Sequence, residues 1–290
     1  MKTKATIIIL IAFISFAFKS DKPAYRIFSV DGKNVKYERM LKKLQKADVV
    51  LFGELHNNPI SHWLQIELTK SLYDVKKEQL VLGAEMFETD NQLILDEYLS
   101  GLISENKFET EARIWPNYKT DYKPLVSFAK ENNLQFVAAN VPRRYASLVF
   151  KNGFEGLEKL SNEAKNFIPE LPIKYNPELE CYKSMMNMGG GGMSAHKTSN
   201  FPKAQAIKDA TMAGSILKYW KKGQLFLHYN GAYHSNNYES MVWYLKQANP
   251  NLKVMTISTV EQDELKTLSE ESKGVADFII CVHSSMTKTH

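Results

Sequence analysis

The sequence predicts an α/β fold built on a mainly parallel sheet, with helices on both faces and an inserted, largely helical cap. Five or six apolar runs rich in β-branched residues alternate with helical patterns, as expected of parallel strands joined by crossover helices. The runs are apolar throughout and do not alternate with polar residues, which is typical of strands covered on both sides. The predicted strands are 48–53, 79–85, 134–139, 224–229, 252–258 and 277–282.

The start of the chain is typical of a secretory signal peptide. Two lysines precede an apolar stretch over residues 5–17, which ends in Ser15-Phe-Ala17 with small residues suited to cleavage after Ala17. The stretch is too short to span a bilayer as a helix. We therefore expect an exported protein of the periplasm or cell surface, with residues 18–290 forming a single domain. A lipobox would place a cysteine at the cleavage point, and the first cysteine is Cys181.

Composition limits the partners that the chain can have. There are 37 Lys and Arg against 32 Asp and Glu, so removal of the leader leaves a small positive charge. Because no basic run is present, we expect no nucleic-acid partner. Cys181 and Cys281 are the two cysteines. An oxidising compartment would let them pair, but their separation along the chain neither supports nor excludes a disulfide.

Helical patterns fill the gaps between the predicted strands. Residues 59–73 carry an approximate apolar stripe, and Asn58 is the predicted N-cap of this helix. A later helix is predicted over residues 203–221. It places Gln205 and Asp209 on one face, because residues four apart are neighbours on a helix surface, and we expect both side chains to contact a ligand.

Residues 150–202 interrupt this alternation, and we interpret them as the cap. A predicted helix over residues 156–167 is followed by three prolines and then by a methionine-rich stretch with four consecutive glycines at 189–192. Glycines lose much conformational freedom in regular elements, and long insertions in compact domains often cover binding sites. We expect a cap with a mobile lip. Its thioethers could cover an apolar ligand or, as a minor alternative, bind Cu(I).

The residues suited to chemistry follow the predicted strands directly. Glu54 and His56 follow the first strand, Glu85 ends the second, and His234 follows the fourth. Ligands bind outside the carboxyl ends of parallel strands, so we expect these side chains to converge in one cleft. Carboxylates and imidazoles together could hold a divalent metal ion or form an acid–base pair. The structural alternative is that Glu54 and His56 cap the next helix and that Glu85 pairs with an arginine such as Arg143.

The third strand ends in a segment suited to anions. It runs from Asn140 to Arg143 and Arg144 at the predicted start of a helix. Paired arginines bind carboxylate or phosphate well, so we expect a propionate-bearing or other small anionic ligand there. The alternative is that one arginine neutralises a glutamate of the cleft. Asn230, in the turn after the fourth strand, is a further expected ligand contact.

Five motifs occur in collinear order over roughly residues 45–285. They are Gly53-Glu-Leu-His-Asn-Asn-Pro59, Glu85-Met-Phe-Glu88, Ala138-Ala-Asn-Val-Pro-Arg143, Ala204-Gln-Ala-Ile-Lys-Asp-Ala-Thr-Met-Ala213 and Asn230-Gly-Ala-Tyr-His234. Together they resemble the ChaN-like haem-binding uptake proteins. More distantly, the chain is similar to the Tiki metal-dependent peptidases and the erythromycin esterases, which share the glutamate–histidine turn.

The resemblance implies an exported protein that binds haem for haem and iron uptake. It implies a homodimer that holds haem between its protomers, with an outer-membrane uptake system as a further partner. It also implies ligation of the haem iron by tyrosine, since tyrosinate is a known axial ligand. Tyr118 and Tyr122 are the candidate tyrosines for contact with the haem.

The enzyme relatives imply an alternative function. Glu54, His56, Glu85 and His234 match positions that are catalytic or metal-binding in those relatives. The alternative is therefore a metal-dependent hydrolase, either a peptidase or an esterase. A glutamate would then activate water, directly or on a divalent metal ion.

Overall fold

The computed structural model describes residues 22–188 and 195–290. The predicted signal peptide and the four-glycine run lie outside the described residues. Seven strands form one sheet, in the spatial order β1-β7-β6-β2-β5-β3-β4. The strands are β1 (Tyr25–Ser29), β2 (Val49–Glu54), β3 (Leu80–Glu88), β4 (Phe136–Asn140), β5 (Leu225–Gly231), β6 (Val254–Gln262) and β7 (Phe278–His283).

The predicted α/β fold with a mainly parallel sheet is confirmed. All neighbouring strands run parallel except β1 and β7, which pair antiparallel at one edge. Each of the six predicted strands is present within a few residues of its expected bounds. The sequence analysis missed β1 because this strand is only five residues long and partly exposed, so it lacks the continuous apolar run of the others.

Helices cover both faces of the sheet. The π-helical turn Tyr118–Tyr122 directly precedes the helix Lys123–Glu131. Within the described part of the chain, no helix is both long and apolar enough to cross a bilayer. The helices are α1 (Tyr37–Leu44), α2 (Pro59–Lys76), α3 (Gln92–Leu99), α4 (Glu105–Glu111), α5 (Lys123–Glu131), α6 (Arg143–Asn152), α7 (Asn162–Lys165), α8 (Glu180–Met188), α9 (Ala195–Tyr219) and α10 (Met241–Ala248).

Alternate residues of the central strands enter two apolar cores on opposite faces. In β2, Val50 and Phe52 pack with α1 to α5, whereas Val49 and Leu51 pack with α6, α9 and α10. Each fully buried side chain of this kind contributes about 1.5–3 kcal/mol by leaving water. The two cores therefore hold β2, β3 and β5 firmly at the centre of the sheet, which fixes the positions of their carboxyl ends.

The N-cap predicted for α2 is present, whereas the helix predicted near the start of the 150–202 insertion is not. The Asn58 side chain accepts hydrogen bonds from the backbone amides of Ile60 and Ser61, as predicted for an N-cap. The single helix expected over residues 156–167 is absent. A 3₁₀ turn, Phe154–Lys159, is instead followed by an extended Leu160 and by the short helix α7. The chain breaks there because the Ser161 side chain caps a new helix by accepting from the backbone amide of Ala164.

The two cysteines are buried and unpaired. Cys181 packs with Tyr182, Met185 and Ala206, whereas Cys281 lies in a separate apolar cluster on β7. A disulfide between them is therefore absent from this fold.

Candidate functional site

A cleft of about 1030 Å³ lies at the carboxyl ends of β2, β3, β4 and β5. Because β2, β5 and β3 are adjacent and parallel, the turns that follow them meet at one edge of the sheet. Side chains that are far apart in the sequence therefore lie close together in this cleft. The residues of the sequence analysis that line the cleft are Glu54, His56, Glu85, Asn140, Arg143, Gln205 and His234.

Glu54 and His56 form the first half of the site. Glu54 is fully buried at the end of β2, and its Oε1 accepts from the Tyr122 hydroxyl at 2.7 Å and from His56 Nδ1 at 2.8 Å. Its Oε2 accepts from the Gln65 amide. The His56 side chain is 38% exposed, so it can reach a ligand in the cleft. Burial alone would lower the pKa of His56, but the bond to Glu54 and the nearby Glu85 charge raise it above its usual value.

A second layer of polar side chains fixes the turn that carries His56. His62 Nε2 lies 3.0 Å from the His56 carbonyl and 3.4 Å from the Asp121 carboxylate, while its Nδ1 lies 3.2 Å from Gln65 Oε1. Asn117 donates to Asp121 at 2.7 Å. The sequence analysis assigned no site role to His62 or Gln65. The available signal was their spacing of three within the first two turns of α2, which places both on one helix face.

Glu85, His234 and Asp209 form the second half of the site. His234 Nε2 lies 3.2 Å from Glu85 Oε1, and His234 Nδ1 lies 2.5 Å from Asp209 Oδ1. Tyr182, from α8, donates to Asp209 Oδ2 at 2.8 Å. The backbone amide of Gly231 donates to Glu85 Oε2 at 2.7 Å. Every carboxylate of this cluster is therefore hydrogen-bonded, as buried charges require.

The buried carboxylates keep His234 protonated. Burial alone would lower the pKa of His234, but Glu85 and Asp209 raise it to about 10. Burial opposes ionisation of Glu85 as well, yet the charge and hydrogen bond of His234 hold the pKa of that carboxyl well below its usual value. The single positive charge of His234 cannot neutralise both Glu85 and Asp209. Burial raises the pKa of Asp209 above its usual value. His234 is therefore a fixed cation here and not a free base.

Gly231 lies between the two halves of the site. Gly53 lies where β2 packs closely against β6 and the turn after β5. A β-carbon on Gly231 would lie 2.8 Å from His56 Nε2 and 3.5 Å from Glu85 Oε2. A β-carbon on Gly53 would lie 2.8 Å from the Ile257 carbonyl oxygen and 2.9 Å from the Ala232 Cα. Both positions need glycine because neighbouring atoms approach closely.

The two arginines of the predicted anion site face different ways. Arg143 lines the cleft, and within the described residues no carboxylate pairs with it. Arg144 lies outside the cleft, pairs with Asp90 at 2.5 Å and covers the Tyr145 ring at 4.5 Å. The expectation that an arginine neutralises Glu85 is corrected, since His234 does so.

Three expected ligand contacts do not reach the cleft wall. Tyr118 is buried between the Phe87 and Phe108 rings, and Tyr122 lies beneath Glu54. Burial raises the pKa of both phenols, so neither readily becomes a tyrosinate. Asn230 is buried and donates to the Gly231 carbonyl at 2.9 Å. The structure therefore argues against direct ligand contact by these three side chains.

The remaining cleft wall combines apolar and cationic groups that sequence reasoning did not include. Trp115 lies edge-on to His56 with ring centroids 5.0 Å apart. Lys208, one turn from Gln205 on α9, joins Arg143 on the wall, and no described carboxylate pairs with it. Trp115 lies in an irregular loop, so no periodic pattern could have placed it at the site. The other apolar lining residues include Leu55, Ile114, Val141 and Ala232.

The expected metal set does not have the arrangement of a metal centre. Among residues 22–188 and 195–290, no group of three or more His, Cys, Asp or Glu side chains could hold a metal ion. The reason is visible in the contacts. Both nitrogens of His234 face carboxylates, and the Glu54 oxygens are taken by His56, Tyr122 and Gln65.

Comparison with known proteins gives one family and a consistent fold. Residues 40–245 match a family described as haem-binding uptake, Tiki superfamily, ChaN. A solved structure titled cofacial heme binding to ChaN of Campylobacter jejuni is 16% identical, with a TM-score of 0.68 and coverage of 88% of this chain and 96% of that one. An erythromycin esterase mutant in its open conformation is 12% identical, with a TM-score of 0.48 and coverage of 90% and 83%.

One curated relative is a plant protein. The chain is 27% identical over 144 residues to Protein RETICULATA-RELATED 5, chloroplastic, of Arabidopsis thaliana. The matched part is 48% of this chain but only 19% of that protein, so the chain spans about a fifth of the length of this relative.

Proposed function

Because the chain belongs to the ChaN family of haem-binding uptake proteins in the Tiki superfamily, we propose that it binds haem in the cleft for haem iron uptake outside the cytoplasm. The family assignment confirms the resemblance found in the five sequence motifs. Export rests on the signal-peptide pattern of residues 1–17.

The observation that carries the proposal is a pair of unneutralised cations on an apolar wall. Haem is a flat, apolar macrocycle with two propionates, so it needs both kinds of surface. Trp115 and Ile114 offer apolar area, while Arg143 and Lys208 face the cleft without a carboxylate partner among the described residues. The volume of about 1030 Å³ lies at the upper end of the roughly 300–1,000 Å³ range of small-molecule sites. The residues present therefore fit a haem.

We further propose that the working form is a homodimer that delivers haem to or from an outer-membrane uptake system. The Campylobacter jejuni structure is titled as binding heme cofacially. Two copies of this chain with their clefts face to face would hold two haems in such an arrangement. Sedimentation of the protein with and without hemin tests this, because a monomer in both states contradicts it.

A titration with hemin tests haem binding directly. We expect stoichiometric hemin to give a shifted Soret band with the wild-type protein. Replacing both Arg143 and Lys208 by alanine should weaken binding at least about tenfold, since each removes a charge-assisted contact to a propionate. Arg144→Ala is the matched control, because Arg144 is bound to Asp90 outside the cleft and its loss should leave the affinity unchanged. An unshifted Soret band with wild-type protein would exclude haem binding.

Hydrolysis is the second candidate function, and the Glu54–His56 pair favours it. His56 faces the cleft and its Nδ1 is held by a carboxylate at 2.8 Å, which is the geometry of an oriented general base. The Arg143 guanidinium on the same wall would stabilise a developing oxyanion. Haem binding does not require this acid–base arrangement.

A panel of ester and peptide substrates tests hydrolysis. Glu54→Gln and His56→Ala should abolish any activity found, and the Arg144→Ala protein should retain it. Repeating the assays with added zinc, added manganese and a chelator separates a metal-dependent reaction from one carried by the side chains alone. A wild-type protein no more active than the His56→Ala protein rules this function out.

A further inference from the structure

Residues 283–290 return from β7 to the cleft and place an additional histidine on its wall. The backbone amide of Thr289 donates to the Asn57 carbonyl at 2.9 Å, and the Lys288 ammonium bonds to Glu261. Asn57 directly follows His56, so this segment is attached to the turn that carries the first half of the site. As a result, the exposed His290 is one of the residues that line the cleft.

A chain of hydrogen bonds orients the His290 ring. The Thr289 hydroxyl donates its proton to Asp121 Oδ2 at 3.0 Å. The Thr289 hydroxyl oxygen also lies 3.2 Å from His290 Nδ1. Because its own proton is donated to Asp121, this oxygen accepts the Nδ1 proton. Nε2 then carries the free lone pair. A ring N–H bonded to an oriented acceptor is the arrangement that fixes the tautomer of metal-ligating histidines.

The other imidazoles and the phenol of the cleft wall are less suited to bind iron. Both nitrogens of His234 face carboxylates, so that ring is a cation. Glu54 holds His56 Nδ1 in a similar way, but His56 Nε2 lies against Gly231, which restricts its approach to an iron atom. The Tyr233 hydroxyl is bonded to Ser184 at 3.0 Å and to the Cys181 carbonyl. His290 differs because no polar group within the described residues bonds to its Nε2.

We propose that His290 is the side chain that ligates the haem iron in this cleft. The inference rests on the proposed haem binding and adds the identity of the ligand. Imidazole is a common axial ligand of haem iron. Residue 290 lies outside the 40–245 region that matches the family, so the family assignment does not supply this role.

Hemin titration of single-site variants tests the proposal. His290→Ala should weaken hemin binding at least about tenfold, change the Soret position and spin state, and recover the wild-type spectrum on addition of free imidazole. His283→Ala is the matched control, because His283 lies in the same terminal segment, bonds to Ser285 and is absent from the cleft wall. Thr289→Val keeps the imidazole but removes its hydrogen-bonded support, so we expect a smaller loss of affinity.

The outcomes separate this inference from the proposed function. His290 is exposed and Thr289 and His283 are partly exposed, and matching thermal melts would show that the fold of each variant is intact. If the His290→Ala protein binds hemin with an unchanged Soret band and spin state, His290 is not the ligand although haem binding stands. If the wild-type protein itself fails to bind hemin, the proposed function fails and the ligand assignment falls with it. An identical spectral change in His283→Ala would also overturn the assignment.

Discussion

Replacing Gly231 by alanine should damage the site while leaving the fold almost intact. The backbone φ at this position is −57°, which alanine adopts without strain. The new β-carbon would lie 2.8 Å from His56 Nε2, whereas an ordinary contact begins at 3.4 Å. The half-exposed His56 ring can retreat into the cleft, and moving a side chain off its preferred rotamer costs about 0.5–1.5 kcal/mol. Together with the weakened hydrogen bond from His56 to Glu54, this should lower the unfolding free energy by about 1–2 kcal/mol.

The same substitution at Gly53 provides the contrast. There the β-carbon would lie 2.8 Å from the Ile257 carbonyl oxygen and 2.9 Å from the Ala232 Cα. Both neighbours are backbone atoms of the central sheet and its following turn, which cannot swing away. Overpacking a rigid core usually costs about 1–3 kcal/mol, and we expect Gly53→Ala to lie at the upper end of that range.

Two measurements on the Gly231→Ala and Gly53→Ala proteins test this contrast. Urea denaturation should show a larger loss of stability for Gly53→Ala than for Gly231→Ala. NMR titration should show that the His56 pKa falls toward its usual value in Gly231→Ala, because the ring has moved away from Glu54 and Glu85. The reasoning is refuted if Gly231→Ala is as unstable as Gly53→Ala, or if it retains the raised His56 pKa.

Three further predictions concern the buried network. Asp209→Asn should lower the His234 pKa well below 10 by NMR, because it removes one of the two carboxylates that keep His234 charged, and an unchanged pKa would contradict the pairing. The raised His234 pKa adds stability that is complete below its unfolded value of about 6.5 and is lost as the pH rises toward 10, so wild-type urea stability should fall across that range and not stay flat. Tyr122→Phe should cost about 1–2 kcal/mol by leaving a buried Glu54 oxygen short of a donor, and a neutral result would mean that water replaces the hydroxyl.

The strands and the meeting of the two turns could be predicted from the sequence because both follow from local patterns. Buried parallel strands require continuous apolar runs, and the polar residues that follow adjacent strands must share one edge. The edge strand β1 carries no such run, so it was missed. The break at Leu160 was missed because a helical stripe does not reveal where a serine side chain will start a new turn.

The orientation of individual side chains could not be predicted in the same way. Arg143 and Arg144 are consecutive residues of α6, which turns by about 100° per residue, so only tertiary packing decides which of them faces the cleft. Tyr122 is equally suited by type to bind a ligand or to support Glu54. Its place in a π-helical turn, where its hydroxyl donates to Glu54, gives it the supporting role, and no local sequence pattern indicates such a turn.

The strand order has a consequence for how a newly made chain can fold. β5 lies between β2 and β3 in space but begins only at Leu225, long after both of its neighbours have been synthesised. Until then β2 and β3 each present an unpaired edge, and such edges recruit other chains. A ribosome-bound or truncated chain that stops before Leu225 should therefore depend on holdase chaperones and aggregate without them, since the middle of its sheet is still missing.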